Sequence, residues 1–495
     1  MNVVLIASEA VPFAKTGGLA DVAGALPAAL GRIGVSASVI LPNYRQAAES
    51  GIPLVDAGVP LAIPIGANVV EGRVLRASLP GSSSSAYLID QPGYFDRPTL
   101  YQQADGSDYT DNSERFIFFQ RAALEAIRLL GLRPDVIHCN DWQTGLIPVY
   151  LDEFYRADPD LGRVGTLMTV HNMAYQGSFW HWDMPLTGLD WRLFNWRQLE
   201  FHDRVNFLKA GLVFSDLLNT VSPTYAREIQ TPDYGCGFDG LLRARRHDLH
   251  GIVNGIDPTV WNPATDPSLA TRYDATTFPA GKAACKAALQ RLAGLPERPE
   301  VPLFAQIGRL DPQKGWDLLI ETADGLLERD VHVVVLGVGM PRYHHLVERL
   351  AERHPTKLRA FLEFSAPLSH RIEAGADLFL MPSLYEPCGL NQLYSLAYGT
   401  IPIVRSTGGL ADTVVDATPE ALAAGTATGF AFADPTPAGL ASAIGRALDL
   451  WPDREAWSRL VGTAMRADWS WDRSARSYLA LYEQARAGRV GRRVV

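Results

Sequence analysis

A lysine and two adjacent glycines follow the first apolar run of the chain. Lys15, Gly17, Gly18 and Asp21 belong to residues 15–21, KTGGLAD, which precede a segment of helical periodicity. Glycine lets backbone N–H groups approach an anion, and the positive end of a helix favours negative charge. The pattern predicts a phosphate-binding turn; the alternative is a plain strand-to-helix turn with an exposed lysine. The spacing fits neither GxxxxGK[ST] nor GxGxxG.

Two cationic side chains follow a later apolar run in a similar way. Residues 308–315 have the sequence GRLDPQKG, with Arg309 and Lys314 between a predicted strand and a predicted helix. Arginine can donate two parallel hydrogen bonds to a phosphate, and lysine supplies a compact charge. The segment therefore predicts a second anion site. The alternative is a solvated turn in which Arg309 pairs with Asp311.

Two further turns combine glycine with polar side chains. Residues 386–392, EPCGLNQ, place Glu386 in a loop that opens a helix, and residues 406–410, STGGL, repeat the double glycine. A carboxylate there can bind sugar hydroxyls while helix N–H groups bind a diphosphate; alternatively, Glu386 only complements the helix dipole. Four such turns, each after a predicted strand, together favour a phosphorylated ligand.

Two strand ends in the first half are polar and aromatic instead. They are residues 138–142, HCNDW, and 171–177, HNMAYQG. Aromatic faces pack on pyranose rings, and Asn, Asp and His bind hydroxyls, so this pattern favours a sugar pocket. A lone histidine such as His171 is more often structural. Four nearby tryptophans extend the pattern, although we expect most of them to pack in the core or between domains: Trp180, Trp182, Trp191 and Trp196.

All these segments depend on a framework of short apolar runs that alternate with amphipathic segments. The predicted strands are 3–7, 37–41, 86–90, 135–138, 166–170, 217–221, 251–253, 303–307, 332–336, 359–364, 378–381 and 401–404. The predicted helices include 114–130, 316–328, 344–353 and 437–450. Continuous apolar strands separated by helices are typical of parallel sheets covered on both faces. The fold class is therefore α/β, with doubly wound parallel sheets.

The strands form two sets, which predicts two domains. The Gly- and Pro-containing stretch 254–273 separates the sets, so we expect domains at 1–253 and 274–465, a linker at 254–273, and a final segment at 466–495. Residues 91–112 are expected to form a long polar loop. Ligands of doubly wound sheets bind beyond the carboxyl ends of the strands, so we expect the site in a cleft between the domains.

Composition restricts the class of function. The 495 residues carry a net charge of −9, which argues against nucleic acid or an anionic membrane as the main partner. No apolar run is long enough to span a bilayer, and Glu9 interrupts the first run too early for a signal peptide. The four cysteines form no CxxC pair, so we expect neither disulfides nor a metal staple, and a cytoplasmic location.

Taken together, the motifs closely resemble those of bacterial glycogen synthases and plant starch synthases, in order and over nearly the full length. The matching segments are 15–21, 141–142, 171–177, 253–257, 308–315, 386–392 and 407–412. The resemblance implies a GT-B fold of two Rossmann-like domains and a retaining glucosyltransferase. It implies ADP-glucose as donor and an α-1,4-glucan, such as glycogen or a maltooligosaccharide, as acceptor. It implies no cofactor, and no acidic cluster of DxD type marks a metal site.

The resemblance also assigns roles to individual residues. Arg309 and Lys314 would neutralise the departing diphosphate, while Glu386 and His171 would face the glucosyl group; these four are the expected catalytic residues. Phe364 would stack on adenine. The remaining expected donor- and sugar-binding residues are Lys15, Gly17, Gly18, Asp21, Asp141, Asn172, Asn254, Cys388, Gly389, Leu390, Asn391, Tyr394, Thr407, Gly408 and Gly409. The segment 469–482 resembles a helix that braces the first domain.

Three positions depart from the pattern of the family. Gln143 stands where many bacterial members have His, and Asn391 where some have Thr, which removes a hydroxyl contact. Tyr394 stands where the wider superfamily often has a second Glu, so ribose recognition must differ.

Other activities remain open from the sequence. A related transferase could use UDP-glucose or a small acceptor, as sucrose and trehalose synthases do. A non-catalytic glucan-binding protein is another alternative. It would not need Lys15, Arg309, Lys314 and Glu386, so the presence of these residues argues against it. A nicotinamide oxidoreductase lacks its GxGxxG here, and nothing marks the pyridoxal lysine of a phosphorylase.

Overall fold

The chain divides into two units, and its path passes between them more than once. The computed structural model describes residues 1–103 and 105–491; Ala104, in the predicted loop 91–112, and residues 492–495, in the predicted last segment, lie outside them. The first unit comprises Met1–Val221, Ala226–Gly255 and the segment from Trp471 onward, and the second comprises Ser222–Tyr225 and Ile256–Ser470. The limits 1–253, 254–273, 274–465 and 466–495 stay predictions.

Strands occur at every apolar run predicted above to form one, and in several further places. They are β1 Asn2–Ile6, β2 Ser36–Pro42, β3 Val55–Ile65, β4 Asn68–Ser78, β5 Ser85–Asp90, β6 Val136–Asn140, β7 Gly165–Val170, β8 Ser178–Trp180, β9 Glu200–Phe201, β10 Arg204–Asn206, β11 Leu217–Thr220, β12 Leu249–Gly251, β13 Leu303–Ile307, β14 His332–Leu336, β15 Leu358–Phe361, β16 Leu378–Met381, β17 Ile401–Arg405 and β18 Phe430–Phe432. Every predicted strand overlaps an observed one; the prediction 251–253 lies two residues late.

Helices connect the strands and cover the sheets. They are α1 Gly18–Arg32, α2 Arg45–Glu49, α3 Pro92–Phe95, α4 Asn112–Leu129, α5 Ile147–Glu153, α6 Met184–Thr187, α7 Phe207–Phe214, α8 Pro223–Glu228, α9 Asp239–Ala244, α10 Phe278–Ala293, α11 Trp316–Leu327, α12 Pro341–Arg353, α13 Ala366–Gly375, α14 Asn391–Tyr398, α15 Gly408–Thr413, α16 Pro419–Ala424, α17 Pro437–Leu450, α18 Arg454–Met465 and α19 Trp471–Gly491. Proline at the first helical turn, as in α12 and α17, fits positions where no N–H partner is needed.

The first unit is built on a nine-stranded sheet of order β12-β11-β7-β6-β1-β2-β5-β4-β3. The strands from β12 to β5 pair in parallel, and only β4 and β3 run antiparallel. The chain proceeds from β1 toward β2 on one side and from β6 toward β7 on the other. The strand order therefore reverses between β1 and β6, and in doubly wound sheets ligands bind at that point.

The second unit has a six-stranded, wholly parallel sheet of order β15-β14-β13-β16-β17-β18. Here the order reverses between β13 and β16. The loops that follow these two strands carry Arg309, Lys314 and Glu386. The α/β fold with two parallel-sheet units is thus confirmed, and each sheet brings two of the predicted motifs to its own switch point.

The strands that sequence patterning missed are short or half exposed. In β3 and β4 buried and exposed residues alternate toward one end, and β3 contains two prolines, which an edge strand tolerates. The strands β8, β10 and β9 form a separate antiparallel sheet in the first unit. Because these strands lack continuous apolar runs, a search for buried parallel strands does not find them.

The last helix, α19, belongs to the first unit. Its residues Trp471, Tyr478 and Tyr482 are almost wholly buried in the same core as the β1 residues Val3 and Leu5. This places the aromatic face of α19 against the first sheet.

Candidate active site

The double-glycine turn of the first unit lies after β1, and a buried carboxylate holds its backbone. Glu9 is only 4% exposed and accepts hydrogen bonds from the N–H of Thr16 at 2.5 Å and of Gly17 at 3.2 Å. The hydroxyls of Thr16 and Tyr101 donate to the same carboxylate, at 2.8 and 3.0 Å. A Cβ at Gly17 would meet open space. Glu9 therefore fixes the backbone of the turn, and the space beside the Cα of Gly17 is open.

Lys15 lies beside this turn and pairs with Asp21. The Lys15 Nζ is 2.7 Å from Asp21 Oδ1, and about half of the lysine side chain is exposed. Burial raises the pKa of Asp21, and the nearby ammonium of Lys15 partly opposes that rise. Both predicted residues thus share one location, at the start of α1.

The β6 and β7 ends bring Asp141 and His171 together across the switch point from the glycine turn. The Asp141 carboxylate accepts the His171 N–H at 2.7 Å. Asp141 has a φ of 57°, which is uncommon for a residue with a side chain and often marks functional positions. Desolvation raises the pKa of Asp141 to about 7, against backbone donors that include Asn172, and the negative charge of Glu9 adds to the rise.

The imidazole of His171 is neutral. Burial lowers the pKa of His171 to about 3, and Nε2 lies 3.0 Å from Asn140 Oδ1. The Asn140 amide nitrogen donates to the carbonyls of Ile6 and His138, so Asn140 Oδ1 must accept from His171. Nε2 therefore carries the proton, and Nδ1 is a hydrogen-bond acceptor. Asn254, also predicted for this site, is buried in the same unit.

In the second unit, Lys314 and Glu386 form an ion pair across the switch point. Lys314 Nζ lies 2.7 Å from Glu386 Oε2, and the two side chains are 23% and 7% exposed. The Ser383 hydroxyl donates to the same oxygen at 3.0 Å. Lys314 follows β13 and Glu386 follows β16, so the pair depends on the strand order rather than on sequence proximity.

Arg309 and Asn391 complete this cluster. Arg309 is more exposed, with its Nε 3.5 Å from Asp311 and its guanidinium 3.4 Å from Gln313 Oε1. The Asn391 amide donates to the Ile307 carbonyl at 2.7 Å, which ties the start of α14 to the end of β13. The Arg309–Asp311 pair is the contact that the alternative interpretation of this turn expected, so an anion-binding role of Arg309 stays a prediction.

The turn at 407–409 supports the loop that carries Glu386. The Gly409 N–H donates to the carbonyls of Glu386 and Pro387, at 3.1 Å each. Gly408 has a φ of 45°, and a Cβ there would lie 1.9 Å from the Glu386 carbonyl oxygen, so only glycine fits. Thr407 is fully buried. Donor contacts by Thr407, Gly408 and Gly409 stay a prediction.

Residues 388–394 start α14 beside this pair. Gly389 has a φ of 72°, Leu390 is the N-cap, and Cys388 is buried. Tyr394 stacks on Trp261, with ring centroids 3.6 Å apart and planes 9° apart, and His370 also stacks on Trp261, with centroids 4.0 Å apart. Phe364, expected at adenine, is 87% exposed, and its role stays a prediction.

Three residues of these clusters escaped the sequence analysis. Glu9 and Tyr101 hold the glycine turn, and Ser383 holds Glu386. Glu9 had a signal, since it is a lone carboxylate directly after a buried strand. Tyr101 and Ser383 had none, because their partners are distant in sequence or depend on the loop conformation.

Comparison with known proteins agrees with this arrangement. A family model described as the starch synthase catalytic domain matches residues 2–244, and one described as glycosyl transferases group 1 matches residues 292–460. A glycogen synthase of Rhodopirellula baltica is 47% identical over 498 residues, covering 97% of each chain. A glycogen synthase of Anaeromyxobacter dehalogenans is 49% identical and covers 99% of this chain and all of its own. The chain belongs to the glycogen synthase family.

The solved structures extend this family assignment to the fold. The catalytic domain of starch synthase IV from Arabidopsis thaliana, bound to ADP and acarbose, has a TM-score of 0.89 at 34% identity and covers 98% of this chain and 99% of its own. The predicted GT-B fold and retaining glucosyltransferase class are thereby confirmed for this glycogen synthase family member. Sucrose-phosphate synthase from Thermosynechococcus elongatus has a TM-score of 0.57 at 17% identity and shares the fold.

Within residues 1–103 and 105–491, no three or more His, Cys, Asp or Glu side chains are grouped so as to hold a metal ion. In the same part of the chain, no helix combines the length and apolar character needed to cross a membrane.

Proposed function

We propose that this protein transfers glucose from ADP-glucose to the non-reducing end of an α-1,4-glucan, with retention of configuration and without a metal ion, in the cytoplasm. The observation that carries the proposal is the Lys314–Glu386 pair at the switch point of the second unit, next to the Gly308 turn and the start of α14. A cation and a carboxylate at one strand edge match the two charges that develop when a glycosyl–phosphate bond breaks.

The leaving diphosphate gains negative charge as the bond breaks. Lys314 and the guanidinium of Arg309 stabilise that charge, together with the N–H groups at the start of α14. The hydrogen bond from Asn391 to Ile307 positions these N–H groups in advance, so the chain does not reorganise during the reaction. In the first unit, we assign Lys15, beside the glycine turn, to binding of the donor.

The glucosyl group becomes positively charged at its anomeric carbon. Glu386 binds the sugar hydroxyls and contributes negative charge near that carbon. His171 remains neutral at physiological pH, because its pKa is lowered to about 3, and so it adds no repulsive charge. Its Nδ1 and its backbone carbonyl offer acceptors to the sugar. We assign no covalent nucleophile.

A relative supports the proposed donor base and acceptor. The similar structure of starch synthase IV contains ADP and acarbose. Its 34% identity over nearly the whole chain supports an adenine nucleotide as donor here, with Phe364 as a stacking partner. The polar strand ends at 138–142 and 171–177 supply the hydroxyl-binding groups that a glucan end needs.

The test is a release assay for the nucleoside diphosphate. Purified protein is incubated with glycogen and either ADP-glucose or UDP-glucose, in the presence of EDTA. We expect ADP release that depends on glycogen and at least tenfold lower turnover with UDP-glucose. Turnover that needs added Mg²⁺ would contradict the metal-independent reaction, and equal turnover with UDP-glucose would contradict the choice of donor. Transfer to free glucose or fructose but not to glycogen would instead favour a small-acceptor transferase.

A further inference from the structure

The first unit exposes a connected group of aromatic rings that the proposed reaction does not use. Trp180, Trp182 and Trp191 are 60%, 59% and 45% exposed, which makes the expectation that they pack in the core wrong. Trp196, also expected there, is 71% exposed. The group, here called the aromatic platform, consists of Trp180, His181, Trp182, Trp191 and Phe194.

The rings of the aromatic platform form a continuous surface. The Trp182 ring lies 5.8 Å from Trp191, and the Trp191 ring lies 5.6 Å from Phe194. His181 closes the circle, 5.4 Å from Trp182 and 6.1 Å from Phe194, and Trp180 lies 6.5 Å from Trp182. Most of these pairs are tilted or edge-on, so the rings do not cover one another face to face and their faces remain available to a ligand.

The small sheet β8-β10-β9 explains why the Trp180 ring points outward. Side chains alternate between the two faces of a strand. In β8 the Phe179 ring packs on Phe207 at 4.8 Å and on Trp142 at 5.5 Å, so the next residue, Trp180, lies on the opposite face. Its cross-strand neighbour in β10 is Arg204, which is also exposed. The exposure of Trp180 therefore follows from strand geometry.

Buried polar side chains hold the support of the platform in place. Lys209 is 7% exposed and donates from Nζ to the carbonyls of Trp196 and Glu200, at 2.5 Å each. Asn206 is fully buried and donates to Gln176 and Ser178, at 3.0 and 2.7 Å. Lys209 thus holds the chain that follows the platform residues, and Asn206 holds the chain that precedes them. The platform is thus a supported surface rather than a loose segment.

The chemistry around the rings favours a sugar chain over a protein partner. Asp203 lies within the group, 3.3 Å from His181 Nδ1, and Arg204 flanks Trp180. Protein interfaces are depleted in charge at their aromatic centres, whereas a glucan presents C–H faces to rings and hydroxyls to charged groups at every residue. Interleaved rings and charges fit that repeating pattern.

The platform is also continuous with the candidate active site of its own unit. β8 begins directly after the polar segment 171–177, and Phe179 contacts Trp142, which follows Asp141 in the chain. We propose that the aromatic platform binds a segment of the α-glucan acceptor outside the catalytic centre. The proposal rests on the proposed function, since it takes the glucan as the polymer being extended. A bound chain raises the local concentration of its ends at the active site.

The first experiment measures glucan binding without donor. Wild type, the double variant Trp182→Ala/Trp191→Ala and the control Val69→Ala, which removes an exposed apolar side chain on β4, are run in native gels that contain glycogen. Titration with maltoheptaose, followed by calorimetry, gives dissociation constants. We expect the double variant to bind about 10-fold more weakly, and Trp182→Tyr to retain most of the affinity because a ring remains. Unchanged affinity in the double variant would overturn the proposal.

The second experiment separates this proposal from the transferase activity. We expect the double variant to raise KM for glycogen about 10-fold, with kcat unchanged and with a smaller change in KM for maltotriose, which presents fewer glucose units to the rings. Equal KM values for glycogen in wild type and double variant would overturn the platform while leaving the transferase intact. Absence of turnover in wild type would refute the proposed function, and the donor-free gels would still decide the platform. A shift from dimer to monomer in gel filtration, at unchanged glucan affinity, would assign the surface to self-association and overturn the proposal.

Discussion

Replacing Lys314 by methionine, Glu386 by glutamine, and both together separates the structural role of their ion pair from its role in the reaction. Their charged atoms are 2.7 Å apart, with the glutamate almost buried and the lysine about a quarter exposed. At an effective dielectric constant of about 20, Coulomb's law gives roughly 6 kcal/mol of attraction, and desolvation offsets a large part of it.

The single and double variants should therefore differ in stability. Lys314→Met leaves a buried carboxylate without its cation, and we expect it to lower the free energy of unfolding by about 3 kcal/mol, the low end for a broken buried pair. Glu386→Gln leaves a partly solvated ammonium and should cost about 1–2 kcal/mol. The double variant should be no less stable than Lys314→Met alone, which corresponds to a coupling energy of at least about 1–2 kcal/mol.

Activity should not recover in the same way. Each single variant should lose about 10²–10³ in kcat, because a group that stabilises developing charge is removed, and the double variant should be no more active. Urea unfolding followed by circular dichroism gives the stabilities, and ADP release gives kcat. Additive stability losses would show that the pair is not coupled. A kcat within a few-fold of wild type in Lys314→Met would refute its role at the leaving group.

Three further predictions concern other parts of the site. The pKa of Asp141 is raised to about 7 in the folded state, so its ionisation destabilises the fold as pH rises from about 4 through 7; Asp141→Asn should show a stability gain over wild type that grows between pH 4.5 and 8 in urea titrations, and a constant difference would contradict the shift. Glu9→Ala, which leaves two turn amides without an acceptor, should lose about 2–3 kcal/mol of stability and lower kcat, whereas Glu9→Gln should lose less than about 1 kcal/mol; equal losses in urea unfolding would refute the acceptor role. Trp261→Ala should cost about 2–3 kcal/mol and raise KM for ADP-glucose, since Tyr394 loses its stacking partner near the start of α14; an unchanged KM in steady-state kinetics would separate the stack from donor binding.

The central strands could be predicted because each of them is a continuous run of mostly apolar residues. The apolar run 303–307 coincides with β13, since a parallel strand covered on both faces needs apolar residues throughout. β3 could not be found in this way, because its exposed face carries polar residues and its prolines suit an edge. Local pattern thus identified the interior of each sheet but not its margin.

The site was predictable as motifs and not as contacts. The glycine turn and the residues Arg309, Lys314 and Glu386 have recognisable types and spacing. That Lys314 pairs with Glu386, and that Glu9 caps the amides after β1, depends on strand order and loop conformation, which spacing does not encode. The exposure of Trp180 was mispredicted because large aromatic residues are usually buried. Here the alternation of β8 decides its orientation instead.

The position of α19 determines when the first unit can complete its core during synthesis and where the chain can be truncated. The second unit is essentially an insertion, entering at Ile256 and leaving at Ser470, where the Ile256 N–H donates to the Trp469 carbonyl at 2.8 Å. The first unit lacks Trp471, Tyr478 and Tyr482 until the ribosome has passed the whole of the second unit, so its core stays incomplete while residues 256–470 are made. A truncation after residue 255 would leave that core open, whereas joining 255 directly to 471 would keep it whole.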